Sequence, residues 1–373
     1  MNVSGPVMIR AYPDVRGVSV VLMGDRHFST AGLCPKGTAS GVRAVEFIDG
    51  FLRSGVKGDI VDVFLEMAPN GLSEFSDIIE ADVADVSQPL IRTFRDLVMR
   101  GCLNRNTIGL CKKEYPHGRV HGVDFRYFSG SGDALAYRDL IKRMPFTQYE
   151  HDLLLSKSGA EALLKELDEM PTLATALKKI MDMDRLKKQF RALDRDTLRI
   201  IRKWITKQFK DRVDEDRLDD RIRRATNSLK VVLRKYISGE SDLMPRIDML
   251  ATDLRSSLVD ARFVLQLMQM DAYTAARLFR KYRNGPPVTR ALIYAGMYHT
   301  DAYESLFRML QPRLKIVKTV PEATRCMRVP EQVIDTALGS HPFRPAASPI
   351  SHEWRALAIV SAALLAYVAL RNA

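Results

Sequence analysis

The sequence predicts an α/β protein: a mixed, largely parallel sheet with a large helical insertion and a C-terminal hydrophobic helix. Three observations predict it. Short β-prone apolar runs alternate with helical patterns near both ends of the chain, a long region between them has only helical periodicity, and the last residues are uncharged. With 373 residues, 46% of them hydrophobic, the chain can form a substantial core.

The first part of the α/β core is predicted over residues 1–133. Two β-prone runs, 7–12 and 18–23, flank PDVRG and predict a β-hairpin. A helix is expected over 40–54, because apolar residues recur there every three or four positions and glycines follow.

Polar residues follow the next predicted strands. The apolar run DIVDVFLEM ends at Glu66, and the shorter GRVHGVDFR ends at Asp124 and Arg126. His117 and His121 stand four apart here, which on a helix would place them on one face. The glycine between them and the β-like pattern argue against a helical metal site.

Residues 134–285 are predicted to be a helical insertion. Its central part, 178–235, contains twenty Lys and Arg and ten Asp and Glu, so it carries +10 of the net charge of +12. The charges alternate in sign, which favours a solvated helical face; contact with an anionic membrane or with nucleic acid stays open. The apolar positions expected to face inward are Leu186, Phe190, Leu193, Leu198, Ile201, Trp204, Ile205 and Phe209.

The second part of the core is predicted over 286–338. It contains a strand at 290–295 and a further candidate strand, LKIVKTV, at 314–320. Residues 339–352 are rich in proline and serine and predict a linker.

A membrane-anchoring tail is predicted over 353–373. Residues 356–370 carry no charge and lie between Arg355 and Arg371. Fifteen residues are fewer than the roughly 20 of a usual spanning helix, but the basic flanks favour an interface. The alternative is a buried helix. We therefore expect membrane association with the bulk of the chain in the cytosol, and no signal peptide. The four cysteines form no C-x-x-C pair, which argues against a disulfide framework and a structural zinc site.

A short motif that occurs twice in the sequence contains the candidate catalytic histidines. Gly24-Asp-Arg-His27 and Gly296-Met-Tyr-His299 are both G-x-x-H, and both follow a predicted strand. Strands joined by long helical connections are usually parallel, so their carboxyl ends form one edge, where ligands bind in α/β sheets. We expect the two histidines to converge there with Glu66, Asp124 and Arg126, each glycine permitting a sharp turn.

Such a cluster has two chemical uses. A histidine beside a carboxylate can act as general base towards water. Alternatively, His27, Glu66, His299 and Asp25 could hold a divalent metal (Mn, Co or Zn) that acidifies bound water. Arg126 would stabilise an oxyanion.

Tyr298 would donate a proton or a hydrogen bond in either chemistry. The alternative to a catalytic or metal-binding site is structural. The histidines would then lie in ordinary turns, Asp124 and Arg126 would form a structural ion pair, and Tyr298 would have a packing role.

These motifs resemble the TraB/Tiki superfamily, which is related to erythromycin esterase and to ChaN-like proteins. MGDRH, FLEMAP and IYAGMYHTDAY are similar to its first histidine, glutamate and second histidine motifs, in that order. The resemblance covers about 16–130 and 286–320 and implies site roles for His27, Glu66 and His299. An arginine is also implied, with Arg126, Arg26 and Arg92 as candidates. The motifs also resemble uncharacterised proteins of large eukaryotic DNA viruses.

The resemblance implies a hydrolase, either a metal-dependent peptidase or an esterase, acting on a peptide or a small ester at the membrane. Other proteins of the superfamily have no established activity. The alternative is therefore a non-catalytic scaffold whose basic helices contact nucleic acid, an anionic membrane or a protein partner.

Overall fold

The computed structural model describes part of the chain, and every structural statement below concerns that part. The described residues are 2–4, 6–25, 41–66, 110–111, 115–123, 156–240, 243–282, 285–318, 320–323 and 326–338.

The strands and helices follow in chain order. The strands are β1 (Asn2–Ser4), β2 (Met8–Val15), β3 (Val18–Asp25), β4 (Gly41–Arg43), β5 (Val61–Leu65), β6 (Leu110–Cys111), β7 (Tyr115–Gly122), β8 (Arg290–Gly296), β9 (Val317–Lys318), β10 (Val320–Ala323) and β11 (Cys326–Arg328). The helices are α1 (Ala44–Arg53), α2 (Lys157–Asp168), α3 (Leu173–Met181), α4 (Asp184–Phe190), α5 (Arg195–Glu215), α6 (Leu218–Ile237), α7 (Met244–Phe279), α8 (Met297–Leu310) and α9 (Glu331–Leu338).

The chain is an α/β protein with a mixed sheet. The main sheet has the order β6-β7-β5-β8-β3-β2-β9. Its four central strands, β7, β5, β8 and β3, are parallel, whereas β2, β6 and β9 pair antiparallel at the two sides. The α/β class and the mixed sheet with a parallel centre are confirmed.

The predicted hairpin is formed by β2 and β3, which pair antiparallel. Its turn is Arg16–Gly17, with φ of 54° and 83°. Two consecutive residues with positive φ match the twist of the flanking strands, and glycine accepts that conformation without strain. The Asp14 carboxylate accepts a hydrogen bond of 2.7 Å from the backbone N of Gly17 and closes the turn.

Two other strand predictions have different outcomes. The predicted strand at 290–295 is β8, and in-register pairing of β8 with β3 and β5 aligns the ends of these strands. The candidate strand at 314–320 was too long: only Val317–Lys318 joins the main sheet, and β10 belongs to a second, four-stranded sheet. That small sheet was not predicted, because its strands are only three or four residues long.

The two faces of the main sheet have separate cores. Alternate side chains of β3, β5 and β8 pack with α1 and α9 on one face, which we call the α1 face. The other alternate set packs with α8 and the helical insertion on the opposite face, called the insertion face. This two-sided burial follows from the period of two along a strand and explains why the central strands are apolar throughout.

The described part of the insertion consists of α2 to α7. Its predicted inward positions are buried or partly buried, so that part of the prediction is confirmed. Trp204 on α5 donates a hydrogen bond of 3.1 Å from Nε1 to the carbonyl oxygen of Ala302 on α8. The last part of α7, residues 267–278, is almost wholly buried, and its core is continuous with the insertion face.

Several sequence predictions lie outside the described residues. They are the start of the insertion at 134–155, the linker at 339–352 and the tail at 353–373. Among the described helices, none combines the length and the apolar character needed to cross a membrane.

Candidate active site

The carboxyl ends of the central parallel strands bring Glu66 and the first turn of α8 together. Glu66 directly follows β5, and its backbone N donates to the carbonyl oxygen of Tyr294 on β8 at 3.1 Å. Its carboxylate Oε2 accepts a hydrogen bond of 2.7 Å from the backbone N of Gly296, the residue that precedes α8. The glutamate thus caps the start of the helix that carries His299.

His299 lies between two carboxylates. Its Nδ1 is 2.6 Å from Oδ1 of Asp271, a fully buried residue of α7. Its Nε2 is 3.6 Å from Oε1 of Glu66. The first distance is that of a strong, charge-assisted hydrogen bond; the second is too long for a direct one.

Buried polar atoms without a hydrogen-bond partner gather around Asp271. Asp271 lies near the guanidinium of Arg212 on α5, and the Tyr303 hydroxyl lies beside Asp271 and Thr274. Within the described part of the chain, five atoms here make no hydrogen bond of good geometry: Asp271 Oδ2, Thr274 Oγ1, Tyr303 Oη, Arg212 Nε and Arg212 Nη1. Buried polar groups are rarely left unpaired. Donors and acceptors are both present, and the Tyr303 hydroxyl is close enough to Asp271 and Thr274 to interact with both.

Burial shifts the proton affinity of two of these residues. It lowers the pKa of Arg212 to about 10, although the negative charge of Asp271 opposes the shift. Burial also raises the pKa of Tyr303 well above its usual value, and the nearby Asp271 carboxylate adds to the effect. At neutral pH the arginine is therefore cationic and the tyrosine is a neutral hydroxyl.

Tyr298 occupies the outer side of this cluster. Its side chain is 44% exposed, and the Cζ atom of Arg212 lies 3.1 Å from its ring centroid. Its ring is nearly perpendicular to that of His299, with centroids 5.9 Å apart. Tyr298 therefore lies between the protein surface and two buried groups, the His299 ring and the Arg212 guanidinium.

Asp25 belongs to the opposite face of the sheet. Side chains alternate along β3, and Met23, two residues earlier, packs on the α1 face. The Asp25 carboxylate accepts a hydrogen bond of 2.8 Å from the hydroxyl of Tyr294, which also belongs to the α1 face. Glu66 is two residues after Phe64, which packs on the insertion face, so Glu66 belongs to the insertion face as well. Asp25 and Glu66 thus lie at the same edge of the sheet, but their side chains project from opposite faces.

The glycines of the two G-x-x-H motifs differ from expectation. A sharp turn was predicted at each of these glycines. Gly24 instead belongs to strand β3, and Gly296, which ends β8 and precedes α8, has φ of −56°; among the described glycines only Gly17, Gly58 and Gly239 have positive φ. Gly24 instead permits close packing: a Cβ atom there would lie 2.6 Å from Met297 Sδ and 3.0 Å from Thr300 Oγ1. Its lack of a side chain allows the first turn of α8 to approach β3.

The remaining predicted site residues are His27, Asp124 and Arg126, and all three lie outside the described residues. The competing arginines Arg26 and Arg92 also lie there.

Four residues of the cluster were not found by sequence reasoning: Asp271, Arg212, Thr274 and Tyr303. Asp271 is the only charged residue between Arg262 and Arg277, and a lone charge in a long apolar helical stretch is a usable signal of a buried polar role. Arg212 gives no such signal, because it stands among many charged residues of α5.

The metal prediction depends on a residue that is not described. No group of three or more His, Cys, Asp and Glu able to hold a metal occurs within the described ranges. Glu66 and His299 provide two suitable donor atoms, and Asp271 supports the histidine as outer carboxylates do at metal sites. A catalytic zinc usually has three protein ligands, so a third, such as His27, would be required.

Comparisons with known proteins give no further guide. No protein-family model matches the chain, and no curated protein or solved structure matches it.

Proposed function

We propose that this protein is a hydrolase that activates water between His299 and Glu66, with a peptide or a small ester as substrate. The observation that carries the proposal is the Asp271–His299–Glu66 arrangement at the carboxyl edge of the parallel strands. This is the edge at which α/β proteins usually bind ligands. The substrate class comes from the resemblance to the TraB/Tiki superfamily and is part of the proposal.

The Asp271 contact sets the proton arrangement of His299. A carboxylate accepts hydrogen bonds, so Nδ1 carries the proton in the neutral ring and Nε2 carries a lone pair. The buried, negatively charged Asp271 then stabilises the imidazolium that forms when Nε2 takes a proton. His299 is thereby prepared as a general base.

A water molecule to one side of the line that joins His299 Nε2 and Glu66 Oε1 could contact both atoms. Nε2 and Oε1 are both acceptors in this state, and they are 3.6 Å apart. One water can donate a hydrogen to each, which fixes its oxygen lone pair in a single direction. Proton transfer to Nε2 would then leave hydroxide character on the oxygen that attacks the acyl carbon, and the imidazolium would return the proton to the leaving group.

A divalent metal is the other way to activate this water. It would be held by His299 Nε2, the Glu66 carboxylate and a third ligand, for which His27 is the candidate. Such a metal lowers the pKa of bound water. In that variant Asp271 keeps the imidazole oriented, with the same tautomer.

Charge stabilisation is assigned to arginine. Arg126 is the candidate from sequence, and Arg212 adds a second one, because its guanidinium is buried beside Tyr298 with two nitrogens that lack an acceptor within the described residues. A buried guanidinium stabilises a developing oxyanion more strongly than an exposed one. Membrane association through the tail remains a proposal, based on sequence.

Hydrolysis of a panel of peptides and small esters by the full chain tests the proposal. We expect His299→Gln to lower the rate by about 10²- to 10⁴-fold, the usual contribution of a general base. His117→Gln, a histidine on β7 outside this cluster, is the matched control and should leave the rate unchanged. Assays with a chelator and with added Zn²⁺, Mn²⁺ or Co²⁺ separate the two ways of activating water.

Absence of turnover across the panel, or a rate in His299→Gln equal to wild type, would contradict the proposal. The alternative is then a binding protein. Nucleic-acid or anionic-vesicle binding that weakens steeply with salt and depends on the basic residues of α5 and α6 would support that alternative.

A further inference from the structure

The positive charge of the insertion is concentrated on α4 and the first part of α5. Residues 187–210 contain nine Lys and Arg and two Asp, a net charge of +7. Six of these basic residues lie on the solvent-exposed side of α5, and we call them the α5 stripe. The stripe consists of Arg195, Arg199, Arg202, Lys203, Lys207 and Lys210, and all six are exposed.

Helix geometry makes the stripe a continuous surface. Residues three or four apart are neighbours on a helix, and the stripe extends about 22 Å along the axis of α5. The other side of α5 carries Ile201, Trp204 and Ile205, which are at most 1% exposed and belong to the core of the insertion face. Trp204 on that side donates to the backbone of α8, so the stripe faces away from α8 and towards solvent.

The end of α4 widens this basic surface. The Cζ atom of Arg202 lies 5.9 Å from the ring centroid of Phe190, which places the end of α4 beside the stripe. Lys188 and Arg191 are within two residues of Phe190, and both are exposed. The basic surface therefore continues from α5 onto α4.

The acidic neighbours balance only part of this charge. Asp194 caps α5, because its carboxylate accepts a hydrogen bond of 2.9 Å from the backbone N of Thr197. Two stripe residues form ion pairs within the described part of the chain. These pairs are Arg199–Asp196 at 3.5 Å and Lys207–Asp211 at 3.1 Å. All four side chains are more than half exposed, and such surface pairs are weak.

Helix α6 carries a similar number of basic residues, but most of them are paired. Arg223 lies 2.6 Å from Asp220, and Lys230 lies 2.8 Å from Asp168. The other ion pairs of this helix are Arg221–Asp260, Arg234–Asp168 and Lys235–Glu240. The excess charge of the insertion is therefore directed outward on α4 and α5 rather than on α6.

A row of exposed positive charges matches the charge of a polyanion. A pI of about 9.5 with Lys and Arg clustered along one helix is the usual pattern of nucleic-acid binding. An anionic membrane is less suitable, because the apolar side of α5 is buried in the core and cannot enter a bilayer. The predicted membrane tail would also follow α9, which packs on the α1 face, the opposite face of the sheet.

The shape of the stripe favours a DNA duplex. Single strands usually bind on exposed aromatic rings, and the exposed large apolar side chains of the described residues lie on α6, α7 and α8, not on α4 or α5. Arg202 and Lys207 are about 140° apart around α5, so basic residues flank both sides of its exposed surface. A helix can reach both walls of the wide major groove of B-DNA, whereas the major groove of A-form RNA is narrow.

We propose that the α5 stripe binds the phosphate backbone of double-stranded DNA without sequence preference. The lysines and arginines contact phosphates of both strands and release the counterions bound there. The stripe contains none of the residues assigned to hydrolysis. His299→Gln should therefore bind DNA as wild type does, and the failure of either proposal leaves the other standing.

Fluorescence anisotropy of the full chain with two unrelated labelled DNA duplexes tests the inference. With about five phosphate contacts, the slope of log K against log salt should be −4 to −5 between about 50 and 200 mM salt. The triple variant Arg195→Gln/Lys203→Gln/Lys210→Gln should reduce the magnitude of this slope by about 3 and weaken binding at about 50 mM salt by at least tenfold. Circular dichroism checks that the variant is folded.

The matched control removes the same charge from α6. Arg223→Gln/Arg234→Gln/Lys235→Gln changes three exposed residues that have ion pairs, and it should leave the affinity and the slope near those of wild type. Each of the following results would overturn the inference: no binding of either duplex, an equal loss in both triple variants, or a strong preference for one sequence. Tighter binding of single strands or duplex RNA would also overturn it, as would stripe-dependent binding of phosphatidylserine vesicles without DNA binding.

Discussion

Two buried histidine–aspartate pairs lie on the insertion face, and only one has the surroundings of a reactive site. His299 and Asp271 meet at 2.6 Å, as do His121 and Asp62. In the first pair the second ring nitrogen points towards the Glu66 carboxylate at the end of the parallel strands. In the second pair the histidine is the next-to-last residue of β7, and its ring is stacked on Phe64 with ring centroids 4.3 Å apart.

The difference teaches that pairing alone does not identify a catalytic histidine. Both aspartates fix a tautomer, but in opposite senses: Asp271 holds Nδ1 of His299, whereas Asp62 holds Nε2 of His121. Asp62 also accepts two hydrogen bonds from the Arg119 guanidinium. The Glu66 carboxylate beside the second ring nitrogen distinguishes the His299 pair, because the second nitrogen of His121 has no carboxylate beside it among the described residues.

The largest effect should come from Asp271→Asn. An amide at this position can hold the other tautomer of His299, which places the proton on Nε2 and removes the base. We expect the hydrolytic rate to fall by roughly 10³- to 10⁴-fold while the fold persists, as measured by steady-state kinetics and circular dichroism. If Asp271→Asn retained full activity, His299 would not act as the base that the proposed function requires.

Asp62→Ala should act on stability rather than on chemistry. It leaves Arg119 buried without its carboxylate, and removal of one partner of a buried ion pair costs about 3–5 kcal/mol. Urea unfolding measures this loss. Asp301→Ala is the control, because its contact with Arg10 is at the surface and is worth at most about 1 kcal/mol. A small effect at Asp62 would mean that the surroundings of Arg119 relax around the missing charge.

The pH dependence of stability should report His121. Its pKa is about 4 in the folded chain and 6.5 without burial. Above pH 6.5 the ring is neutral in both states, so it adds no pH dependence. Between pH 6.5 and 4 the unfolded chain binds a proton that the folded chain does not, so the free energy of unfolding falls as pH falls. Integrated over this window, the loss is about 3 kcal/mol.

Denaturant titrations at several pH values measure that slope. His121→Gln should flatten it between pH 4 and 6.5, whereas the control variant His117→Gln, on the same strand, should keep it. An unchanged slope in His121→Gln would assign the acid sensitivity to other groups.

The smallest effect is expected for Gly24→Ala. The added Cβ atom would press on Met297 and Thr300 in the first turn of α8, at a cost of about 1–2 kcal/mol. Because that turn carries His299, activity should fall as well. Gly285→Ala is the matched control in the other region: its Cβ atom would lie 3.5 Å from Arg119 Nη1, an ordinary contact. Equal loss in both variants would contradict a specific role for Gly24 in positioning α8.

Sequence patterns predicted the parts of the site that depend on strand ends. Glu66 and His299 were expected at one edge, and they lie there because in-register parallel pairing of β5 and β8 aligns their termini. The α/β class and the hairpin could be predicted because the spacing of hydrophobic residues, the turn residues and the strand lengths are local properties of the sequence.

Contacts between distant helices and the sheet could not be predicted in this way. Asp271 meets His299 only because α7 packs against α8, and no local pattern encodes that contact. The assignment of Asp25 and Glu66 to opposite faces required the register, since a shift of one residue would have reversed it. The role of Gly24 required the position of α8.

One long helix, α7, contributes buried polar residues to the surroundings of both His299 and His121. Asp271, Thr274 and Arg277 follow one another at intervals of three along α7, and all three are buried. Six residues of helix span about 9 Å, so Asp271 and Arg277 are held at a fixed separation on the same helix. A displacement of α7 at Arg277 would therefore also move Asp271 and the hydrogen bond that orients the His299 ring.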